Sequence, residues 1–367
     1  MSFRRRGPYL PRRPVRILPA ARGRRGISIT LHLRDIIVIV VMPVAGKGTR
    51  LRPHTHVTPK PLLKVGGKPV LSYILDDLRE LGVHEAVLIT GHLKEKVQAF
   101  MEAGYPDFHA EYVEQVEQRG TADAIALAEP FVREDLLIIF VDTLFDADLT
   151  IVNRLPENVA GVIWAKEVED YQRFGVILTD ADGFMTRIIE KPSEPVSRLA
   201  NIGLYYIRDW KLLFEGINWV MSQPPGPSGE YFLTDAFQYM VDHGGKLKVE
   251  PVHGWYDAGK PDTLLETNQH VLSTTRAKAP AAREGVTIHE PVHVEDGVEL
   301  EDSEIGPNVT LGAGTKVRHS KLRDAIVGTK SVIDRCDLRD SLIGDHVQVS
   351  GVTGKVDLGD HSVVRNG

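Results

Sequence analysis

The sequence has almost no cysteine and no long hydrophobic run. Cys336 is the single cysteine among 367 residues, so the chain cannot close an intramolecular disulfide. Proteins without disulfides are typical of reducing compartments, and we expect a cytoplasmic location. The apolar run at residues 36–41 is far shorter than the roughly 20 residues that a membrane-spanning helix needs. We therefore expect no membrane segment.

Acidic residues are missing from the first 34 positions, which carry ten arginines instead. This composition cannot bury a core, so we interpret residues 1–35 as a disordered basic extension. A basic arm for nucleic acid, an arginine-rich transit segment and a start codon placed too far upstream are the alternatives. We favour the last, because residue 36 already begins an apolar strand. The net charge is −6, and the chain beyond this extension is more acidic still, so we expect no nucleic-acid partner.

The sequence also lacks the standard phosphate-binding spacings. No GxxxxGK(S/T) occurs, and Leu51 stands where GxGxxG needs its third glycine. The first strand is followed instead by a loop with Gly46 and Gly48, and then by the cations Arg50 and Lys60. Glycines let backbone N–H groups approach a ligand closely, and the cations suit a bound polyphosphate. An ordinary strand-to-helix turn with surface cations is the alternative interpretation.

Apolar strands and amphipathic helices alternate from residue 36 to residue 272. Residues 86–90, 110–115 and 136–141 are predicted strands, and the helix that opens at Pro69 has apolar residues three and four apart. This alternation predicts a parallel sheet covered on both faces, which binds ligands at the carboxyl ends of its strands. Gln115 and Asp142 stand at two such ends, so we expect one cleft to hold them with the glycine loop.

Gln115 and Asp142 also have side chains that suit a nucleotide site. A glutamine amide carries a donor and an acceptor, which can match one edge of uracil or thymine. A carboxylate at a strand end is a natural ligand for Mg²⁺ beside a polyphosphate. A surface glutamine before a helix and an Asx turn are the ordinary alternatives.

Several motifs, taken in order, resemble one known family. GxGTRLxP begins at Gly46 and is followed by PKPL, by EKP at residues 190–192 and by WxDxG at residues 255–259. This series resembles the sugar-1-phosphate nucleotidylyltransferases over residues 37–272. The resemblance implies an α/β, Rossmann-like nucleotidyltransferase domain with a mixed, mainly parallel sheet. It also implies a Mg²⁺-dependent enzyme that makes an NDP-sugar and pyrophosphate from an NTP and a sugar 1-phosphate.

The resemblance further implies a role for each matching residue. The catalytic residues would be Arg50, Lys60 and Lys191. Nucleotide binding would fall to Ala45, Gly46, Gly48, Thr49, Gln115, Gly120 and Thr121. Sugar-phosphate binding would fall to Gly175, Glu190, Lys191 and Asn201, and the metal ligands would be Asp142 and Asp257.

The pattern changes after Val286, where hexapeptide units such as IGPNVT, IGDHVQ and LGDHSV appear. Such repeats predict a parallel β-helix whose aliphatic residues lie inside the solenoid. The region resembles the left-handed β-helix of long-form nucleotidylyltransferases, with about 18 residues per coil. We therefore predict a nucleotidylyltransferase domain at 36–275 and a left-handed parallel β-helix at 285–367. We expect the β-helix to bury aliphatic residues only against its own coils and to support a homo-oligomer.

The sequence leaves several substrate pairs open. The resemblance and Gln115 favour dTTP or UTP with glucose 1-phosphate. A mannose-1-phosphate guanylyltransferase and an N-acetylglucosamine-1-phosphate uridylyltransferase are the alternatives, and relatives that use N-acetylated sugars often have asparagine where Asn201 stands. Two residues depart from the family pattern, since Ala45 replaces a common glycine and Pro61 stands where thymidylyltransferases often have glutamine. A non-catalytic regulatory subunit of the same fold is a different class, and the retained cations and carboxylates argue against it. Acetyl transfer by the β-helix is a further alternative, which the short solenoid disfavours.

Overall fold

A nine-stranded sheet organises the catalytic part of the chain. The computed structural model describes residues 38–226, 228–274 and 284–366, and the predicted basic extension lies outside them. In chain order the strands of this part are β1 (Val38–Pro43), β2 (Lys64–Val65), β3 (Lys68–Pro69), β4 (Glu85–Thr90), β5 (His109–Glu114), β6 (Asp135–Ile139), β7 (Thr143–Asp146), β8 (Gly161–Glu167), β9 (Gly175–Thr179), β10 (Met185–Glu190), β11 (Leu199–Ile207), β12 (Leu247–Pro251) and β13 (Gly254–Asp257). The helices are α1 (Val70–Glu80), α2 (Lys94–Gly104), α3 (Thr121–Ala126), α4 (Trp210–Ser222), α5 (Leu233–Asp242) and α6 (Pro261–Thr274).

The sheet is mixed, as predicted. Strands β6, β1, β4 and β5 lie side by side and parallel, and β11 joins β6 antiparallel and carries the β9–β10 hairpin beyond it. Alternate residues of β1 point to opposite faces, so Val40 and Met42 pack with α1, α2 and α6, whereas Val41 packs with α3, α4 and α5. Both faces are therefore covered, which brings the strand ends together at one edge.

Most predicted elements are present, with ends that move by a few residues. Helix α1 begins directly after Pro69 and buries Val70, Leu71 and Leu78 on its apolar face. The last helix of this part, α6, ends at Thr274, two residues beyond the predicted limit of the alternating pattern at residue 272. In the part of the chain that the structure describes, we find no helix both long and apolar enough to cross a membrane.

The hexapeptide region is a parallel β-helix, as predicted. Its strands are β14 (Val286–Ile288), β15 (Val292–Val294), β16 (Glu299–Glu301), β17 (Ser303–Ile305), β18 (Val309–Leu311), β19 (Lys316–Arg318), β20 (Lys321–Val327), β21 (Val332–Asp334), β22 (Asp337–Ile343), β23 (Gln348–Ser350), β24 (Thr353–Gly354), β25 (Asp357–Leu358) and β26 (Val363–Arg365). Every strand pair in this region is parallel. The handedness of the solenoid and the domain limits at 275 and 285 stay predictions.

The coils are shorter than the expected length of about 18 residues. Glu299 pairs with Lys316, Lys316 with Val332, Val332 with Gln348 and Gln348 with Val363, so successive coils advance by 17, 16, 16 and 15 residues. Several residues at the corners between strands have the left-handed conformation. They stack in columns from coil to coil: Asp302, His319 and Arg335; Asn308, Asp324 and Asp340; Lys330, His346 and His361.

The β-helix does not bury its aliphatic residues only against its own coils, and that expectation was wrong. Leu342 of β22 belongs to the hydrophobic core under α1 and α6, and Ile326 of β20 packs against the same core. Helix α6 contacts both strands. The repeat pattern identifies which residues point into the solenoid, but it does not indicate that one outer face meets another element.

A fully buried asparagine joins this contact. Asn268 of α6 accepts hydrogen bonds through Oδ1 from the Gly66 N–H at 2.8 Å and from Thr310 Oγ1 at 2.7 Å. Its Nδ2 donates to the Asn308 carbonyl at 3.2 Å. One side chain therefore holds the β2–β3 turn, helix α6 and the first coils of the β-helix together.

We expect Asn268→Ala to lower the free energy of unfolding by about 2–4 kcal/mol, because it leaves buried donors without an acceptor. Denaturant unfolding of the full chain measures this change. Gln269→Ala is the matched control, since the neighbouring Gln269 is exposed on the same helix, and it should change the value by less than about 0.5 kcal/mol. Equal changes in the two variants would contradict a stabilising role for the hydrogen bonds of Asn268.

Candidate active site

A cleft of about 780 Å³ opens at the carboxyl edge of the parallel strands. It brings together nearly all the side chains that the sequence singled out. The predicted residues that line it are Ala45, Gly46, Arg50, Lys60, Gln115, Gly120, Thr121, Asp142, Gly175, Glu190, Lys191, Asn201 and Asp257. Gly48 and Thr49 do not line it, and their predicted contacts with a nucleotide have no support from this geometry.

The two glycines of the loop, Gly46 and Gly48, have different structural roles. Gly48 has φ 59°, and an added Cβ would lie 2.9 Å from Thr55 Cγ2, so the turn needs glycine for its own geometry. The Thr55 hydroxyl closes this turn by donating to the Gly48 carbonyl at 2.8 Å. A Cβ at Gly46 would meet no described atom within 4 Å, so the backbone there faces open space at the cleft.

Two carboxylates stand side by side across the β7–β13 pair. Asp257 is paired in register with Thr143, and the Ala258 N–H donates to the Asp142 carbonyl at 2.8 Å. Lys60 Nζ lies 3.0 Å from Asp142 Oδ2. Asp257 accepts from the Gly259 N–H at 2.7 Å through Oδ1.

This donor set fits a hard divalent cation, because carboxylate oxygens are the protein ligands that Mg²⁺ prefers. Asp142 keeps 42% of its side chain exposed, so solvent and a ligand can reach its oxygens. Asp257 is 20% exposed and already oriented by its bond to Gly259. Remaining positions around a bound ion would be filled by water and by substrate oxygens.

Gln115 has a fixed amide orientation. Its Nε2 donates to Asp123 Oδ2 at 2.8 Å and to the Gly120 carbonyl at 3.3 Å, which uses both amide hydrogens. Asp123 is held in turn by Arg119, whose Nη2 lies 2.6 Å from Oδ1. Among the described residues none donates to Gln115 Oε1. The side chain that lines the cleft therefore offers an acceptor, where the sequence interpretation allowed a donor as well.

Gly120 allows two backbone segments to pack closely together. With φ 115°, it lies against the segment that precedes α5, and an added Cβ would come within 2.3 Å of the Tyr231 carbonyl oxygen. The Tyr231 N–H donates to the Arg119 carbonyl at 2.8 Å, and the Ala122 N–H donates to the Tyr231 carbonyl at 3.0 Å. The loop that holds Gln115 is thus fastened to residues more than a hundred positions later.

Glu190 and Lys191 line the cleft at the end of β10, on the side of the sheet away from β1 and the glycine loop. Burial raises the pKa of the Glu190 carboxyl above its usual range, although Lys191 Nζ at 3.8 Å and the hydroxyl of Thr234 act to lower it. The backbone of Lys191 has φ 45°, a conformation that residues other than glycine rarely adopt and that tends to mark functional sites. Its ammonium group lies 4.9 Å from the Phe232 ring centre.

Asn201 lines the cleft with an amide that is largely used within the protein. Its Nδ2 donates to the Gly175 carbonyl at 3.3 Å, and its Oδ1 accepts from the Gly203 N–H at 3.3 Å and from the Tyr205 hydroxyl. A Cβ at Gly175 would lie 2.5 Å from Asn201 Nδ2 and 2.8 Å from Glu190 Oε2. Gly175 therefore makes room for these two side chains, and one Nδ2 hydrogen of Asn201 is left for a ligand.

Sequence reasoning missed several lining residues. Gln118 Nε2 donates to the Ala45 carbonyl at 2.6 Å and so ties the β5–α3 loop to the glycine loop. Thr143 Oγ1 and Trp255 Nε1 are buried without a hydrogen-bond partner among the described residues, and both belong to cleft-lining residues. The signal for Trp255 was its place in WxDxG, whereas nothing local distinguishes Gln118 from a surface glutamine.

A glycine loop, paired cations and carboxylates at the open edge of an α/β sheet define a nucleotide-transferring enzyme. Residues 39–274 match the model of the family described as nucleotidyl transferase. The chain belongs to that family, and its relatives named as sugar-1-phosphate nucleotidyltransferases support the same class of activity for it.

Two curated relatives illustrate the similarity. The chain is 33% identical over 240 residues to the UTP–glucose-1-phosphate uridylyltransferase AglF of Haloferax volcanii, which covers 64% of this chain and 97% of that protein. It is 29% identical over 349 residues to the glucose-1-phosphate thymidylyltransferase of Streptomyces antibioticus, which covers 87% and 97%. A solved UDP-glucose pyrophosphorylase shares the fold, with a TM-score of 0.58 at 23% identity over 65% of this chain and all of that one.

We expect Asp123→Ala to raise the nucleotide KM by about tenfold, because the Gln115 amide loses the acceptor that orients it. Initial rates at varied nucleotide concentration measure this effect. Glu117→Ala is the matched control, since it removes an exposed carboxylate from the same loop, and it should stay within about twofold. An unchanged KM in Asp123→Ala would show that the amide needs no fixed orientation.

Proposed function

We propose that this protein transfers a uridylyl or thymidylyl group to a hexose 1-phosphate, with glucose 1-phosphate as the favoured acceptor. A phosphate oxygen of the sugar attacks the α-phosphorus in line, the bond from the α-phosphorus to the bridging oxygen breaks, and pyrophosphate leaves with that oxygen. The observation that carries the proposal is the single cleft in which Gly46, Arg50, Lys60, Gln115 and Lys191 meet.

The cations supply positive charge along the path of the phosphates. Arg50 and Lys60 line the side of the cleft next to the open backbone at Gly46, where we place the triphosphate. Lys191 lines the wall across from them, beside Glu190, where we place the sugar phosphate. Little covalent chemistry falls to the protein in such a transfer, so positioning and charge neutralisation are its main contributions.

The acceptor at Gln115 Oε1 supports the choice of base. Uracil and thymine present an N3–H donor on their pairing edge, which such an acceptor can bind. Adenine and cytosine present an acceptor at the equivalent ring nitrogen and would meet Oε1 unfavourably. Guanine has an N1–H donor, so a guanylyltransferase stays the alternative that this geometry disfavours least.

Asp142 and Asp257 would hold Mg²⁺, which neutralises phosphate charge when it is bound. Both side chains line the cleft and offer only oxygen ligands. Lys60 is already paired with Asp142, so the chain itself places positive charge at this carboxylate. The same pair holds the loop from Gly46 to Leu62 against Asp142.

Pyrophosphate release from a panel of nucleotides and sugar 1-phosphates tests the proposal. We expect UTP or dTTP to exceed ATP, CTP and GTP by at least tenfold in kcat/KM, about 1.4 kcal/mol, because the N3–H of uracil and thymine can donate to Gln115 Oε1. Gln115→Ala should reduce that preference. A clear preference for GTP would instead indicate a mannose-type guanylyltransferase.

We expect Asp142→Asn and Asp257→Asn each to lose most turnover at saturating Mg²⁺, because each removes one charge from the ligand set. Thermal unfolding should show that both variants stay folded. Asp146→Asn is the matched control, since Asp146 is exposed four residues from Asp142 and lies outside the cleft. Near-normal turnover in either cleft variant would remove it from the metal site.

We also propose a homo-oligomer. The last strand of the solenoid, β26, pairs with β23 on one side, and Val363 on it is 57% exposed. An exposed apolar residue on an edge strand supports self-association.

A further inference from the structure

The loop that carries Arg50 and Lys60 touches the β-helix directly. The loop makes three short 3₁₀ turns: Thr49–Leu51, which contains Arg50, then His54–His56, and then Lys60–Leu62, which begins with Lys60. His54 lies in the middle turn, is only 9% exposed, and its Nε2 is 2.6 Å from Oδ1 of Asp357 in β25. A buried imidazole thus links the active-site loop to a residue 303 positions later.

A close approach between Gly359 and Pro53 accompanies this hydrogen bond. An added Cβ at Gly359 would lie 2.8 Å from Pro53 Cβ, so the final coil needs glycine to let the loop approach. Thr55, on the other side of His54, closes the Gly48 turn with its hydroxyl. The three residues Pro53, His54 and Thr55 therefore connect the last coil to the glycine turn that precedes Arg50.

The coil that supplies Asp357 is itself anchored. Asp357 pairs in register with Leu342 of the preceding coil, and Leu342 is buried in the core beneath α1 and α6. The carboxylate that meets His54 is thus held one strand away from a fixed apolar contact. A free solenoid end would not present a carboxylate at a defined place.

We propose that His54 is a positioning residue for nucleotidyl transfer, and that Asp357 of the last complete coil holds it. The pair fixes the loop so that Arg50 and Lys60 face the triphosphate, and the β-helix is in this way part of the active-site framework. This inference rests on the proposed function for its kinetic consequence. It rests on the contacts alone for its effect on the loop.

The chain offers a matched control in the same coil. Lys355 Nζ lies 2.7 Å from Asp262 Oδ1 of α6, so this pair also joins the β-helix to the catalytic part. Both partners are exposed, and among the described residues no hydrogen bond or ion pair joins either of them to residues 46–62. Lys355→Ala removes one contact between the two parts, as Asp357→Ala does, but it leaves the His54 contact intact.

Steady-state kinetics of pyrophosphate release in the full chain provide the first test. Asp357→Ala and His54→Ala should each lower kcat/KM for the nucleotide by about tenfold, without changing the KM for the sugar 1-phosphate. The double variant should be no worse than either single one, because both remove the same contact. Lys355→Ala should stay within about twofold of the unmodified protein.

Hydrogen exchange provides a second test that does not depend on activity. The Leu51 N–H bonds to the Gly48 carbonyl, and the His56 N–H bonds to the Pro53 carbonyl, so both amides report on the loop. In Asp357→Ala they should exchange about tenfold faster, and in Lys355→Ala they should not. An unmodified protein that releases no pyrophosphate would count against the proposed function, and the exchange data would then decide the coupling alone.

A conservative substitution distinguishes loss of the His54 contact from a general loss of stability. Asp357→Asn keeps an oxygen that can accept from the His54 ring N–H, and it should recover kcat/KM to within about threefold of the unmodified protein. Three results would overturn the inference: equal effects of Asp357→Ala and Lys355→Ala, faster loop exchange with unchanged kinetics, or an Asp357→Asn protein as impaired as Asp357→Ala.

Discussion

The ion pair between Lys60 and Asp142 is the contact on which the cleft geometry depends. It joins the loop after β1 to the segment after β6, which are neighbours in the sheet, and so it fixes the distance between the cations and the carboxylates. A site for polyphosphate has to accommodate strong negative charge next to its own acids. Pairing one acid with a lysine reduces that repulsion before any ligand arrives.

Most other groups in the cleft are held just as firmly by neighbours. Asp123 orients Gln115, Gly259 orients Asp257, and Asn201 is bonded to Gly175 of the neighbouring strand and to Gly203 of its own. Such preorganisation lowers the cost of ordering the site when substrate binds. Lys191 differs, because its ammonium group is half exposed and its backbone is strained, which suits a residue that must reach a ligand.

The sequence predicted the mixed α/β sheet, the β-helix and the enzyme class, because periodic burial and ordered motifs depend on local residues. It also named side chains that the fold brings to one cleft, and their individual roles stay predictions. The features that the sequence did not predict are contacts between residues far apart in the chain. No pattern indicated that Leu342 faces a helix instead of solvent, that His54 contacts Asp357, or that the Gln115 amide donates to Asp123 and Gly120. The coil length was overestimated because the value of about 18 residues was taken from the resembling family. The strand register of this chain gives 15 to 17 residues per coil.

The regular stacking of the β-helix also makes it a measure of length. Each coil adds roughly 4.8 Å along the solenoid axis, the ordinary spacing of paired strands. Asn268 contacts Asn308 and Thr310 near one end, and His54 contacts Asp357 near the other. The number of coils between these contacts is therefore set by the distance between two fixed points on the catalytic part. An added coil beyond Asp357 would leave both contacts in place, whereas an added or missing coil inside this interval would put a different residue opposite His54.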